Sequence, residues 1–384
     1  MRKKKKAENT LFLAISLLIS LSMGPVRAMN DAPETSAVSV ILMEQESREV
    51  LFSRDADRQL PIASITKIMT GLLVAERCDL KADVVIRPEW LGTEGSNMGL
   101  KAGDIKSVEE LLYGLLLASG NDAAVALACY TAGDVSAFVG LMNERASALG
   151  MTGTSFRNPH GLTEPEHYST ARDMGILACA AMDNPCFAEI CGCQDREVDG
   201  VILRNHNRLL RDYPGAIGVK TGYTDAAGRT LVSCARREEM TLVCVTLNDP
   251  ADWKDHAALL DWGFSTYVLE HPEQQSWTVP VISGMDAAAV LRPEMVGSFP
   301  APRWAERAWR AELPPFVYAP FEKGTVLGRA VLYADGEPIY SCPLRSQDTI
   351  ELDESQRLNL WERLCRTWYS ACRSDRFLSS VQQD

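Results

Sequence analysis

The sequence is poor in basic residues and lacks the patterns of several protein classes. Lys and Arg number 39 against 51 Asp and Glu, so the chain of 384 residues has a net charge of −12. Such an excess of negative charge argues against nucleic acid or a broad anionic surface as the main partner. The chain has no internal repeat and no low-complexity tract, which excludes repeat architectures. With 46% hydrophobic residues, it is long enough for two domains with separate cores.

The N-terminus has the pattern of an export signal. Residues 2–6 are basic, and residues 11–23 form an apolar run that is too short to be a comfortable membrane span. Val26-Arg27-Ala28 then offers a cleavage site, so we expect residues 1–28 to be a signal peptide and the protein to be exported. An uncleaved N-terminal anchor is the alternative. Residues 29–384 carry 33 basic and 50 acidic side chains, a net charge of −17.

Cysteine is abundant for an exported protein, and the count of eleven is odd. An odd number cannot pair completely within one chain. Most of the cysteines lie inside apolar helical or strand patterns, as Cys129 and Cys244 do. The tightest group, Cys179 to Cys193, has no C-x-x-C pair and no neighbouring histidine, which disfavours zinc. We predict buried free thiols, with disulfides or a metal as alternatives.

Three short motifs carry most of the functional information. They occur in the order Ser64–Lys67 (S-I-T-K), Ser119–Asn121 (S-G-N) and Lys220–Gly222 (K-T-G). Together they supply the residue types of a serine acyl-transfer site whose general base is a lysine instead of a histidine. Each motif alone has a structural alternative: a helix cap beside a solvated lysine, a capped helix connector, and an ordinary edge strand. The ordered set favours catalysis.

The first motif supplies a nucleophile and a base. Lys67 follows Ser64 by three residues, which places both on one helical face. A lysine acts as a base only when neutral, so Lys67 must be buried or lie near another positive charge, for which Lys220 is a candidate. The N-terminus of the helix also favours the negative charge that develops at Ser64.

The second motif is predicted to handle the leaving group. Ser119 falls between two predicted helices, where its hydroxyl can relay a proton to the leaving amine. The Asn121 amide can hold both Lys67 and a substrate carbonyl, and Asn121 can also cap the following helix.

The third motif is predicted to bind substrate on a strand. Lys220 and Thr221 suit a substrate carboxylate, and Gly222 leaves room for an extended substrate against the strand edge. The backbone N–H groups of Tyr223 and Ser64 can form an oxyanion hole, worth about 3–4 kcal/mol per donor.

The element pattern predicts an α+β fold with an antiparallel sheet flanked by helices, because strands come first, helices follow, and strands return. The predicted strands are 37–42, 50–52, 218–223, 229–235 and 240–247. The predicted helices are 64–77, 107–117 with a capping box at Ser107, 122–130, 136–149 ended by Gly150, and 255–262 ended by Gly263. The middle of the chain reads as rich in loops.

The C-terminal third predicts a smaller β-rich domain and a helical tail. Trp277–Ile282 and Thr325–Tyr333 read as strands, and Asp335-Gly336 is a hairpin turn signal. We therefore expect a catalytic domain over 29–268, a β-rich domain over 269–350 and a tail over 351–384. The tail is predicted to be an amphipathic helix on the outer face of the membrane, or else packed on the second domain. Its apolar stripe contains Leu358, Trp361, Leu364, Cys365 and Trp368.

The chain resembles the serine-type D-alanyl-D-alanine carboxypeptidases, the low-molecular-weight penicillin-binding proteins, which have a β-lactamase-like transpeptidase fold. The resemblance spans nearly all of residues 37–265, through the segments 63–70, 117–122, 156–162, 167–174, 205–210 and 218–224. It implies attack of Ser64 on the bond between two D-alanines at the end of a peptidoglycan stem peptide, with Lys67 as base. It also implies that Ser119 protonates the departing D-alanine, that Lys220 and Thr221 bind its carboxylate, that β-lactams acylate Ser64, and that no metal or organic cofactor takes part.

Two departures from the family pattern and two rival functions remain open in the sequence. Tyr223 stands where the family often has histidine, and residues 252–256 (D-W-K-D-H) lack an arginine that many members place there. A class A β-lactamase would need a carboxylate in an E-x-x-L-N context, but Glu164 and Glu166 lie in the sequence E-P-E-H-Y-S. A weakly active scaffold that only binds wall peptides is the other alternative, although Ser64 and Lys67 are both present.

Overall fold

A computed structural model describes residues 32–294 and 297–353, together with residues 361, 364, 365, 367 and 368. The predicted signal peptide lies outside the described residues. The helices are α1 (Lys67–Arg77), α2 (Val108–Leu116), α3 (Asn121–Ala132), α4 (Val135–Ala148), α5 (Ala171–Met182), α6 (Pro185–Gly192), α7 (Leu209–Asp212) and α8 (Asp252–Thr266).

The strands of the N-terminal two thirds are β1 (Ser39–Glu44), β2 (Val50–Arg54), β3 (Asp83–Val85), β4 (Ile105–Ser107), β5 (Asp195–Val198), β6 (Val201–Arg204), β7 (Ala216–Thr224), β8 (Gly228–Arg237) and β9 (Met240–Leu247). Those that follow are β10 (Tyr267–Glu270), β11 (Trp277–Ile282), β12 (Ala288–Pro293), β13 (Phe299–Pro302), β14 (Arg307–Glu312), β15 (Val317–Tyr318), β16 (Val326–Ala334) and β17 (Glu337–Ser346).

A five-stranded antiparallel sheet organises the first part of the chain. Its order is β2-β1-β9-β8-β7, so β7 lies at one edge. Strand β9 is buried along its whole length because both faces of the sheet are covered. Val243 and Val245 face the larger helical layer that contains α1, whereas Leu242 and Cys244 face α8. This is the predicted α+β arrangement.

A second, six-stranded sheet follows, in the order β14-β16-β17-β12-β11-β15. It has a core of its own that includes Val279, Leu291 and Leu344. Asp335 and Gly336 connect β16 to β17 with φ angles of 50° and 90°, as a two-residue hairpin turn requires. The hairpin predicted at this position is confirmed.

Three features of the predicted element map are wrong. The middle of the chain contains α5, α6 and the β5–β6 hairpin, although Thr170 and Asn184 are sequence signals for the two helix starts and do cap them. Asn121 does not cap α3: Gly120 occupies the cap position and Asn121 is the first helical residue. Gly263 lies inside α8 instead of ending it. The close packing of α8 on the sheet explains why this residue is a glycine, because a Cβ there would lie 2.7 Å from a Leu242 carbon.

All ten described cysteines are free thiols. Five are buried, but Cys186 is exposed and four are partly exposed, so the prediction of burial is right for only half of them. Within the described ranges, no single helix is both long and apolar enough to span a membrane. Two bent helix pairs, α3 with α4 and α5 with α6, meet that criterion only when taken together.

Candidate active site

The predicted nucleophile lies in a tight turn ahead of α1. Residues Ala63–Thr66 form a 3₁₀ turn, so the α-helix itself begins at Lys67 and not at Ser64 as predicted. Ala63 has a φ of 49°, a left-handed conformation that costs about 1–3 kcal/mol in a non-glycine residue. Hydrogen bonds hold the turn on both sides of Ser64. Thr66 Oγ1 donates to Ala63 O at 2.8 Å, and Thr230 Oγ1 of β8 donates to Ile62 O at 3.1 Å.

Lys67 is fully buried and makes three polar contacts. Its Nζ lies 3.0 Å from Ser64 Oγ, 2.7 Å from Asn121 Oδ1 and 2.8 Å from His160 O. The amide and carbonyl oxygens can only accept hydrogen bonds, so they take the two N–H groups of a neutral amine. In that neutral form the remaining lone pair is left for the Ser64 hydroxyl, as a general base beside its nucleophile requires.

Burial and charge both favour the neutral form of Lys67. Burial lowers its pKa well below the usual value, and the nearby charge of Lys220 lowers it further, against an opposing contribution from Asp122. Lys220 is also buried, and this burial lowers its pKa to about 7. Lys220 is therefore a nearby charge that lowers the pKa of Lys67, the role for which the sequence made it a candidate.

The S-G-N motif forms the turn between α2 and α3. Asn121 Nδ2 donates to Glu94 O at 2.6 Å, and this bond turns Oδ1 toward Lys67. Ser119 is buried in the same turn with a left-handed φ of 59°. Within the described part of the chain, Ser119 is not among the hydrogen-bond partners of Lys67. The structure thus joins Asn121 directly to Lys67, which in turn contacts Ser64, and places Ser119 two residues away along the turn.

Gly222 is required by the nucleophile turn itself. A Cβ at Gly222 would lie 2.9 Å from Ser64 N, 3.1 Å from Ala63 Cβ and 2.5 Å from Thr230 Oγ1. The prediction that this glycine clears space for substrate therefore gave the wrong reason, because the cleared space is filled by the turn that carries Ser64.

The backbone of β7 presents polar groups at the open edge of the sheet, although the Thr221 carbonyl accepts a hydrogen bond from Lys220 Nζ at 3.1 Å. Tyr223 lies opposite Arg229, whose carbonyl accepts a hydrogen bond from Asp249 N on the far side of β8. In an antiparallel ladder both backbone groups of a residue point to the same side, so the N–H and C=O of Tyr223 point away from β8 to the open edge. Thr221 lies two residues before Tyr223 on β7, so its N–H and C=O also point away from β8. One predicted oxyanion donor, Tyr223 N–H, thus points to the open edge of the sheet, and the turn that carries the other, Ser64 N–H, packs against β7 at Gly222.

The two positions that depart from the family pattern have clear contacts. The Tyr223 side chain is 64% exposed, and its hydroxyl donates to Asp225 Oδ1 at 3.1 Å. Asp252 is buried and accepts from Arg229 Nη2 at 2.9 Å. Asp252, the first residue of α8, therefore pairs with Arg229 of β8, and Arg229 is the residue opposite Tyr223 in the sheet.

Several residues that support the site had no role in the sequence-based account. Thr70 Oγ1 donates to Pro159 O at 2.6 Å, and Asp122 accepts the N–H groups of Met98, Gly99 and Leu100. Thr66 contacts His167 at 2.9 Å. The available signal was the segment 156–162, which the resemblance included without giving its residues a task. Polar threonines at 66 and 70, within an otherwise apolar helical stretch, were a second signal.

Comparison with known proteins agrees with this geometry. The family model described as D-alanyl-D-alanine carboxypeptidase matches residues 27–251. The D-alanyl-D-alanine carboxypeptidase DacF of Bacillus subtilis is 32% identical over 373 residues, covering 90% of this chain and 95% of that protein. DacC of Escherichia coli is 35% identical over 345 residues, covering 84% of this chain and 86% of its own.

Solved structures agree as well. Penicillin-binding protein 5 from Haemophilus influenzae matches with a TM-score of 0.74 and 30% identity, covering 83% of this chain and 98% of that one. The carboxypeptidase DacD from Francisella tularensis matches with a TM-score of 0.71 and 26% identity, covering 87% and 98%. The predicted fold class and the predicted family are confirmed. The chain belongs to the D-alanyl-D-alanine carboxypeptidase family of serine peptidases.

Proposed function

We propose that this protein is a serine D-alanyl-D-alanine carboxypeptidase that removes the terminal D-alanine from peptidoglycan stem pentapeptides. The observation that carries the proposal is the 3.0 Å contact between Ser64 Oγ and the Nζ of buried Lys67, whose other two contacts are with carbonyl oxygens. When the amine is neutral, those oxygens take its two N–H groups and its lone pair is left for the serine hydroxyl. The family of the chain supports the same reaction.

Acylation begins when Ser64 Oγ attacks the carbonyl carbon of the penultimate D-alanine and Lys67 takes the hydroxyl proton. The N–H groups of Ser64 and Tyr223 stabilise the negative oxygen of the tetrahedral intermediate. The bond to the terminal D-alanine then breaks, and the proton that Lys67 took up reaches the departing nitrogen through the Ser119 hydroxyl, which gives one proton and receives another, so that Lys67 is neutral again. Water hydrolyses the ester on Ser64, which restores the free enzyme.

Substrate binding in this proposal uses the strand edge. Lys220 and Thr221 bind the carboxylate of the terminal D-alanine, and Asn121 orients a substrate carbonyl while it holds Lys67. Gly222 acts indirectly, since it lets the Ser64 turn lie against β7. The backbone polar groups of Tyr223, which point to the open edge of β7, suit an extended peptide that adds to this edge. These steps involve no metal or organic cofactor.

β-Lactams fit the same site as inhibitors. Attack of Ser64 opens the strained amide ring and forms an ester, but the leaving nitrogen remains tethered to the acyl group. The tethered group stays beside the ester, so hydrolysis is slow and the label on Ser64 persists.

The class A β-lactamase alternative receives no support from the two candidate carboxylates. Glu164 accepts a hydrogen bond from Asn158 Nδ2 at 2.7 Å within its own loop. Glu166 is exposed and pairs with Arg157 of the same loop. A carboxylate that activates a deacylating water would be expected beside Ser64 or Lys67. In the described ranges, neither glutamate is a hydrogen-bond partner of these two residues. The assembled Ser64–Lys67 pair likewise argues against an inactive scaffold.

The proposed organisation places the enzyme outside the cytoplasm. Residues 1–28 are the signal peptide, 29–268 the catalytic domain, 269–350 the β-rich domain and 351–384 the tail. In the tail, Trp361 and Trp368 are helical, and their side chains are 73% and 72% exposed. They are seven residues apart, which places them on the same helical face. Exposed tryptophans at this spacing favour attachment to the outer face of the cytoplasmic membrane over packing on the second domain.

The test uses residues 29–384 and the Ser64→Ala variant. Each protein is incubated with a diacyl-Lys-D-Ala-D-Ala peptide, to follow released D-alanine, and with a fluorescent penicillin, to follow covalent label. We expect release and labelling in the parent protein and neither in the variant. Labelling without release would contradict the carboxypeptidase function, and rapid loss of label with penicillin hydrolysis would indicate a β-lactamase.

A further inference from the structure

The loop 156–168 lies along the nucleophile turn and contacts it at three successive levels. Pro159 O accepts from Thr70 at 2.6 Å, His160 O accepts from Lys67 at 2.8 Å, and His167 Nε2 lies 2.9 Å from Thr66 Oγ1. Gly161, with a φ of 91°, lies so close that a Cβ there would be 1.9 Å from Ala63 O. The loop and the turn are therefore one packed unit.

The hydrogen bonds fix which nitrogen of His167 carries the proton. Thr66 has one hydroxyl proton, and Ala63 O can only accept, so the proton of Thr66 goes to Ala63 O at 2.8 Å. His167 Nε2 must then be protonated and donate to Thr66 Oγ1. His167 Nδ1 accepts from Arg157 N at 3.1 Å, so it carries no proton. Both ring nitrogens are thus assigned by the network, and the ring is neutral.

The surroundings of His167 agree with a neutral ring. The residue is buried, and its ring meets the Phe156 ring edge-on at 6.0 Å between centroids. Burial and the charge of Arg157 lower its pKa to about 4. Arg157 pairs with Glu166, and burial is the largest cause that lowers the pKa of the neighbouring His160, to about 3.

We propose that His167 is a positioning residue for the nucleophile: its Nε2–H holds the Thr66 hydroxyl on the Ala63 carbonyl, and thereby keeps Ser64 Oγ against Lys67 Nζ. The inference rests on the proposed role of Ser64. Ala63 is held in a left-handed conformation that a non-glycine residue adopts only under outside constraint. The chain of contacts from His167 through Thr66 supplies that constraint on one side, as Thr230 does on the other.

Two substitutions separate the Thr66 contact from the rest of the imidazole. In His167→Asn, the short amide can still accept from Arg157 N but cannot reach Thr66. In His167→Gln, the longer amide can bring an N–H to the position of Nε2. We expect the Asn variant to be acylated by fluorescent penicillin about 10- to 100-fold more slowly per active site, since small misplacements of reacting groups have effects of this size. We expect the Gln variant to recover most of that rate.

A double-mutant cycle tests the path through Thr66. Thr66→Val removes the hydroxyl at nearly constant shape, and it should slow acylation in the parent protein but add little in the His167→Asn background. Rates are measured on the fraction that intact-mass spectrometry finds acylated at completion. A merely structural role would lower that fraction and the thermal midpoint, while the rate of the folded fraction stayed normal. Additive effects, or a parental rate in His167→Asn, would overturn the proposal.

Nitrogen NMR of the five histidines gives an independent readout. With ¹⁵N-histidine, the signal that disappears in His167→Asn should have the shifts of a neutral ring protonated at Nε2 at pH 7. A charged ring or the Nδ1–H form would overturn the assignment. Failure of the parent protein to release D-alanine or take up penicillin would instead sink the proposed function, so the two failures are distinguishable.

Discussion

At the scale of single residues, the site depends on groups that can only accept a hydrogen bond. Asn121 Oδ1 and His160 O both accept from Lys67, so a neutral Lys67 amine has only its lone pair left for Ser64. The Asn121 amide has a fixed orientation because Glu94 O accepts from its nitrogen. A buried amine in this setting suits the proposed role of a base without a histidine, because burial and the charge of Lys220 both lower its pKa and so favour the neutral form.

The two lysines predict a bell-shaped dependence of kcat/KM on pH. Protonated Lys67 cannot accept the serine proton, so activity rises as pH rises through its lowered pKa. Lys220 must be positive to bind a carboxylate, and its pKa is about 7, so activity falls as pH rises above that value. In Lys220→Arg the side chain stays charged, and we expect the alkaline limb to move to higher pH. Measurement of kcat/KM from pH 5 to 10 checks this, and an unchanged alkaline limb in the variant would contradict the role of Lys220.

At the scale of elements, the site is a contact between the edge of a sheet and a turn. Strand β7 approaches the Ser64 turn so closely that Gly222 has no room for a side chain, and Thr230 of β8 ties the turn to the sheet. Sheet, turn and the loop 156–168 therefore set the position of Ser64 together.

Gly222→Ala tests this contact. The new methyl group would meet Ser64 N, a backbone atom, so the turn must shift; we expect acylation to slow by about 10- to 100-fold and stability to fall by about 1–3 kcal/mol. Gly140→Ala in α4 is the matched control, because its Cβ meets nothing within 4 Å. The control should leave acylation unchanged and raise stability by up to about 1 kcal/mol. Stopped-flow labelling and thermal unfolding measure both, and normal acylation in Gly222→Ala would refute the close contact.

At the scale of the whole molecule, the second sheet and the tail follow the catalytic part in one chain. The tail should carry the enzyme to a membrane surface through Trp361 and Trp368, which are exposed on the same helical face. Deletion of residues 355–384 is expected to move the exported protein from the membrane fraction to the soluble fraction, with release of D-alanine unchanged. The variant with Trp361→Ser and Trp368→Ser keeps the length and charge of the tail and should behave in the same way. Unchanged fractionation of both would rule out the anchor.

The sequence predicts which residues could carry out the chemistry better than it predicts the contacts that hold them in place. Ser64 and Lys67 follow from motif spacing, because three residues of helical geometry bring them together. Asn121 lies 54 residues from Lys67, so its contact, like the influence of Lys220, follows only from the ordered set of motifs. The tasks of Gly222 and Gly263 do not follow, because each glycine is set by a neighbour distant in sequence, Ser64 in one case and Leu242 in the other. The contact of His167 with Thr66 spans 101 residues and has no local signal. By contrast, helices α5 and α6 carry recognisable caps and could have been predicted.

The protonation state of Lys67 tests most directly whether Lys67 is the general base for Ser64. Residues 29–384 contain seven lysines, so ¹³C labelling at the ε-carbon gives few signals, and Lys67→Arg assigns the one of interest. We predict that the Lys67 signal reaches the shift of a neutral amine at a pH well below that at which an ordinary lysine titrates. A signal that remains that of an ammonium group up to pH 10 would contradict Lys67 as the base for Ser64.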